Sequence, residues 1–224
     1  MKTVSIHTGK AQLAMKRLER LLLFCGIISS ILYVAINIIT PSHFPGYDIA
    51  SQTVSELSAI DAPSRPLWVG LCSFYSVFVI AFGCGVWITA DINRQLKTTA
   101  ILFLIYGISG FFWPPMHLRE TIASGGGTLT DTMHIAFAVA TILLMMLMIG
   151  FAAAALGKQF RLYSILTLIL FVVFGSLTGK ESPGISSGQP TPWIGIWERI
   201  NIGLFLLWVI VFALALIRMS RDKP

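Results

Sequence analysis

The stretch LWVGLCSFYSVFVIAFGCGVWITA, Leu67–Ala90, carries no charged residue; DINRQLK, Asp91–Lys97, follows it, and TTAILFLIYGISGFFWP, Thr98–Pro114, is again uncharged. An α-helix rises about 1.5 Å per residue, so an apolar run of roughly 20 residues matches the roughly 30 Å of hydrocarbon in a bilayer. Period-2 alternation is absent, which reads against strands. Two such runs around a short basic connection read as a membrane-spanning hairpin whose turn stays in the cytoplasm.

Working outward, four more runs have the same character: Leu21–Thr40, Thr130–Leu156, Phe160–Gly179 and Trp193–Ile217. The composition agrees, with 224 residues, 55% hydrophobic and 12% charged, and a mean hydropathy of +0.79. A soluble domain carries roughly twice that charged fraction. The expected fold is an all-α, polytopic membrane helix bundle of six transmembrane helices with both termini cytoplasmic. Residues 1–20 are expected to be a cytoplasmic basic segment retained in the protein, 21–217 a single six-helix domain and 218–224 a cytoplasmic tail. The longest connection, Pro41–Pro66, is too short for a core of its own.

The net charge of +6 sits at the ends of the apolar runs rather than on a soluble surface. Twelve Lys and Arg (Lys2, Lys10, Lys16, Arg17, Arg20, Arg94, Lys97, Lys158, Arg161, Arg218, Arg221 and Lys223) fall on the side of the termini and short loops. Four (Arg65, Arg119, Lys180 and Arg199) fall on the other. Positive charge marks the cytoplasmic side, which fixes the expected orientation. The partner expected from this pattern is membrane lipid, not nucleic acid. The three cysteines, Cys25, Cys72 and Cys84, all lie in apolar runs. They read as small buried side chains rather than a disulfide framework or a zinc site.

The unusual polar residues collect on the outer side: Glu56, His117, Arg119, Glu120, Asp131, His134, Glu198 and Arg199. Six are carried as candidate site residues. Asp131 and His134, three apart at the start of the fourth span, share a helix face and suit acid–base work or metal binding. Thr128 and Asp131 equally fit capping-box spacing, as do Thr53 and Glu56 in a segment expected to form a short interfacial helix. His117 follows the stiff exit Trp113-Pro114-Pro115-Met116 and is either a ligand or a solvated loop residue. Glu198 and Arg199 lie one to two turns inside the sixth span and need partners at that depth. Adjacent on one helix, they point about 100° apart, so each seeks a partner elsewhere. Asp131 or Glu56 is expected to serve Arg199, and His134 to serve Glu198. A nucleophile elbow, a phosphate loop and a two-histidine zinc helix are all absent from the sequence, and it assigns neither a cofactor nor a metal.

Three features together resemble a known family: Tyr47 leading into Ser55-Glu56-Leu57-Ser58-Ala59; an aromatic-Pro exit leading to Asp131-Thr132-Met133-His134; and Glu198-Arg199 early in the last span. They resemble the domain of unknown function 998 family of membrane proteins, mostly prokaryotic, over about Leu21–Ile217. This chain has Ser55-Glu56-Leu57 where the family more usually has Ser-Asp-Leu, and Trp113-Pro114-Pro115 for its aromatic-Pro segment. The resemblance implies the six-span fold, a bacterial or archaeal plasma membrane and no established activity.

Three readings of function follow. One is an enzyme acting on a lipid or prenyl-type substrate at the outer leaflet. A second is a non-catalytic protein that binds lipid or a partner. The third, a small transporter, is disfavoured because ion-coupled carriers place a charge near mid-bilayer and none is found there. The orientation carries its own test. A reporter active only in the cytoplasm should be active when fused after Pro224 and silent when placed in the Pro115–Thr128 loop. Reversed signals would overturn the orientation.

Overall fold

The computed structural model describes residues 2–222, with side chains at 12 and 14–221. Six long helices order the chain: α1, Lys2–Ile39; α2, Arg65–Ala90; α3, Arg94–Ser109; α4, Leu129–Ala155; α5, Lys158–Glu181; and α6, Ile194–Asp222. All six are long and apolar enough to cross a membrane, and the described residues contain no strand. An even number of spans puts both ends of the chain on one side. The three long connections, 40–64, 110–128 and 182–193, gather on the opposite, loop-rich side. Of the basic residues in the charge split, Lys223 and the side chains of Lys2 and Lys10 lie outside the described residues.

Local chemistry sets the helix ends. Asn93 accepts the backbone N–H of Leu96 at 3.0 Å and starts α3 at Arg94. The basic connection is therefore tighter than the sequence pattern implies, because an N-cap side chain satisfies the free donors of the first turn. Arg94 and Lys97 become helical, and Lys97 Nζ lies 5.5 Å from the Trp87 ring centre across the turn. At its other end α3 stops at Ser109 and tightens into a 3-10 turn, Gly110–Phe112, so Trp113 and Pro114 lie in the exit and not in the helix. The segment before Leu21 is continuous with the first span. Its Glu19 is buried and accepts the Thr89 hydroxyl at 2.8 Å, which ties α1 to the last turn of α2.

Each helix packs on its neighbours in the chain, and α6 returns to pack on α1, closing a ring. The ring is filled largely by aromatic side chains. Trp208 and Phe212 of α6 meet Phe82 of α2, Phe103 of α3 and Phe160 of α5, while Phe205 of α6 stacks on Trp208 and meets Tyr106 of α3. The buried Trp208 N–H is satisfied by the Ser164 hydroxyl of α5 at 3.0 Å. The outward faces carry exposed apolar groups such as Phe74, Val77, Ile105, Val139, Leu166 and Val173. That surface is what lipid requires and water penalises.

Apolar burial drives little helix association in lipid, so close backbone approach matters more. A β-carbon built on Gly85 of α2 would lie 2.9 Å from the Leu23 backbone nitrogen of α1. Backbone cannot swing aside as a side chain can. Gly85→Ala is therefore expected to lower stability in detergent by about 1–3 kcal/mol, the usual cost of overpacking. Gly150→Ala, with nothing within 4 Å of the new carbon, should be near neutral. Equal melting temperatures for the two variants would show that α1 and α2 have room to part.

Candidate functional site

The first connection folds back over the start of α6 and is held there by its backbone. The Gly195 N–H donates to the Ala50 carbonyl at 2.9 Å. A side chain at 195 would collide with the carbonyl oxygens of Ile49 and Gln52, so only glycine permits this approach. Those carbonyls then converge on Arg199. Its Nη1 donates to Ile49 at 2.9 Å, Gln52 at 3.3 Å and Gly195 at 3.0 Å, and its Nη2 to the Tyr47 hydroxyl at 2.6 Å. The Tyr47 hydroxyl donates in turn to the Thr53 carbonyl at 2.7 Å. Burial raises the pKa of Tyr47 to about 12, so the phenol keeps the proton it donates. Glu198 Oε2 accepts the Val54 N–H at 2.6 Å, which fixes the entry of the 3-10 turn Val54–Ser58.

Glu56 lies in that turn and is fully buried. It accepts the Thr53 N–H at 2.8 Å and the Thr53 hydroxyl at 3.0 Å, as its capping-box position predicts, and the Gln52 amide at 3.0 Å. It also holds the Arg119 guanidinium in a fork, Nε to Oε2 at 2.7 Å and Nη2 to Oε1 at 2.6 Å. Two more Arg119 donors go to the Ser51 carbonyl at 2.8 Å and the Thr191 hydroxyl at 3.1 Å. The bonds to Glu56 push the guanidinium pKa further up. One cation thus ties the second connection to the first and third, and neither partner is left to react.

The second group lies between the exit of α3 and the start of α4. Asp131 accepts the Thr128 N–H at 2.7 Å, the capping bond its spacing predicts. It also accepts the backbone N–H of His117 at 2.7 Å, and its Oδ2 lies 2.9 Å from His117 Nδ1. A carboxylate held by backbone donors is an acceptor, so Nδ1 carries the ring hydrogen. Nε2 of His117 then has a free lone pair, and it has no hydrogen-bond partner among the described residues. The His117 side chain is 19% exposed, so that atom is within reach of a ligand.

His134 is turned elsewhere. Its Nδ1 lies 2.7 Å from the Pro114 carbonyl and 3.1 Å from Trp113 Nε1. One ring nitrogen cannot donate to the first and accept from the second. The carbonyl contact is shorter, so Nδ1 is the donor and the edge-on Trp113 ring is a packing neighbour. His134 therefore anchors the stiff exit segment to α4.

Two expected pairings are corrected. Arg199 is capped by carbonyls and a phenol, not by Asp131 or Glu56, because the first connection presents oxygens where a carboxylate was expected. Glu198 bonds to the backbone of Val54, not to His134, whose ring is committed to Pro114. The candidates thus fall into two groups, Glu56, Glu198 and Arg199 with the first connection, and His117, Asp131 and His134 with the second. The 117–119 segment joins them. Arg119 and Tyr47 are central and were not among the six candidates. Arg119 had a signal: it is a cation on the side where cations are scarce, which calls for an acidic partner.

A ring of six apolar helices capped on one side by a bonded polar layer defines a polytopic membrane protein with one specialised face. The chain belongs to the family described as protein of unknown function (DUF998), whose pattern matches residues 27–215. No curated protein and no solved structure matches the chain.

Arg119→Leu would leave the Glu56 carboxylate buried without its cation. Breaking a buried pair costs about 3–5 kcal/mol, and the lower end applies here because Arg119 is 20% exposed. The double change Glu56→Met with Arg119→Leu should recover much of that loss. Thermal unfolding of the three proteins in detergent reads the effect. A single variant as stable as the parent would show that the fork holds nothing together.

Proposed function

We propose that this protein is an enzyme of the outer leaflet of a prokaryotic plasma membrane, acting on the head group of a lipid or prenyl-type substrate with His117 as general base. One observation carries the reading: Asp131 fixes His117 through both its backbone N–H and Nδ1, which leaves Nε2 basic, oriented and open. A carboxylate behind the imidazole stabilises the cation that forms when Nε2 takes a proton. In the proposed step Nε2 removes the proton from an attacking hydroxyl or water and later returns it to the leaving oxygen. The site lies where the second connection meets α4, at the loop-rich end of the bundle. The outward orientation rests on the split of Lys and Arg.

A second reading keeps the same fold without chemistry. The saturated bonding of Glu56, Arg119 and Arg199 favours a binding protein whose polar layer is a clamp. His117→Gln separates the two, since the amide can still donate to Asp131 but cannot act as a base. Expressed in a bacterial host, the wild type should change the profile of extracted lipids. The variant, matched for melting temperature, should lower that change by about 10²-fold or more. Lipid profiles that do not differ between wild type, variant and empty vector would remove the catalytic reading and leave the binding one.

A further inference from the structure

We infer that the interior of the helix ring, just beneath the first connection, binds a primary ammonium group, with Glu198 as its counter-ion and the Tyr33 hydroxyl as a second acceptor. Glu198 is only half used: Oε2 holds Val54, while Oε1 has no partner among the described residues. The nearest cation in sequence, Arg199, is turned to carbonyls and Tyr47. Arg119 is spent on Glu56. No Lys, Arg or His comes within ion-pair distance of Glu198 among the described residues.

The position of Glu198 aims it inward. Phe205, seven residues further along α6, shares its helix face, and Phe205 packs on Tyr106 of α3 at 5.8 Å between ring centres. The Tyr106 and Tyr75 hydroxyls bond to each other at 2.9 Å and so close the α3 side. Tyr33 of α1 packs on Tyr75 at 4.9 Å and edge-on against Trp68 at 5.9 Å, and it lies within electrostatic reach of Glu198. The Tyr33 hydroxyl has no partner among the described residues. Neither it nor Glu198 Oε1 is among the fully enclosed polar atoms, so both can be reached. An open carboxylate oxygen, an open phenol and a wall of aromatic rings match an ammonium, which donates hydrogen bonds and is attracted to ring faces. The ammonium can be that of a lipid head group or of a free amine.

This inference does not rest on the His117 dyad. The test reconstitutes the full chain in nanodiscs of equal phosphatidylethanolamine and phosphatidylglycerol and reads retained lipid by native mass spectrometry. A second arm follows the melting temperature in phosphatidylglycerol discs with millimolar ethanolamine. Wild type is expected to retain the amine lipid about tenfold over the glycerol lipid, or else to be stabilised by ethanolamine alone, which identifies a free amine as the ligand. Glu198→Gln keeps an oxygen for the Val54 N–H and should abolish both effects. Tyr33→Phe removes only a hydroxyl without a protein partner and should weaken them about threefold at unchanged stability. His117→Gln should leave them at the wild-type level. Wild type showing neither effect, or Glu198→Gln and Tyr33→Phe both matching wild type, would overturn the site.

Discussion

A carboxylate sealed away from water has to be paired, and the pairing of Glu56 with Arg119 organises the loop-rich face. The turn that carries Glu56 buries Val54 and Leu57 in the apolar core, and polar bonds fix how it sits on the other connections. Its attachment comes from the fork to Arg119, from the bonds Arg119 makes to Ser51 and Thr191, and from Glu198 gripping Val54. All three connections are thereby locked in register. A small apolar cluster, Ala59, Ala62 and Met116, and the Ile60 N–H bonded to the Met116 carbonyl at 2.7 Å add to the attachment of the first connection to the second.

This arrangement follows from the solvent. Within hydrocarbon, apolar burial does little to favour one helix contact over another, and the ring is held by close backbone approach and by aromatic packing around α6. At the face where the chain leaves the hydrocarbon, polar groups gain most from bonding one another. The termini side is held differently, by short turns such as that capped by Asn93 and by Glu19 with Thr89. The two faces are thus unequal: one is a pair of tight turns, the other a folded layer.

The helices were legible in the sequence because the property that makes them, a long uncharged run, is local. The α3 boundary moved by a turn because one capping side chain, Asn93, outweighs a count of apolar residues. Asp131 and Glu56 were legible as caps for the same local reason. The partners of Arg199 and Glu198 were not, because they are backbone groups of Ile49, Gln52 and Val54, and side-chain identity does not mark where a carbonyl will point. His134 misled for a related reason. Its spacing from Asp131 is right for a pair, but Asp131 turns back to cap its own helix and meets His117, fourteen residues earlier. The first connection carries Pro41-Ser42-His43, the same Pro-x-His pattern as Pro115-Met116-His117, but His43 bonds within its own turn and stays exposed.

The division of the polar layer bears on function. Glu56 and Arg119 neutralise each other, and Arg199 is held by carbonyl and phenol oxygens, so all three are engaged in place and contribute rigidity. Two atoms differ, Nε2 of His117 and Oε1 of Glu198. Each belongs to a side chain whose other polar atom is fixed by the protein, which sets the direction of the free one. A group meant only for bonding within the fold gains nothing from being held by one atom and left open at the other. A group meant to meet a ligand needs that combination, because orientation is settled before binding and ordering it costs little afterwards. The fork between Glu56 and Arg119 lies between these two open atoms in the chain of contacts, so the rigidity it supplies reaches both.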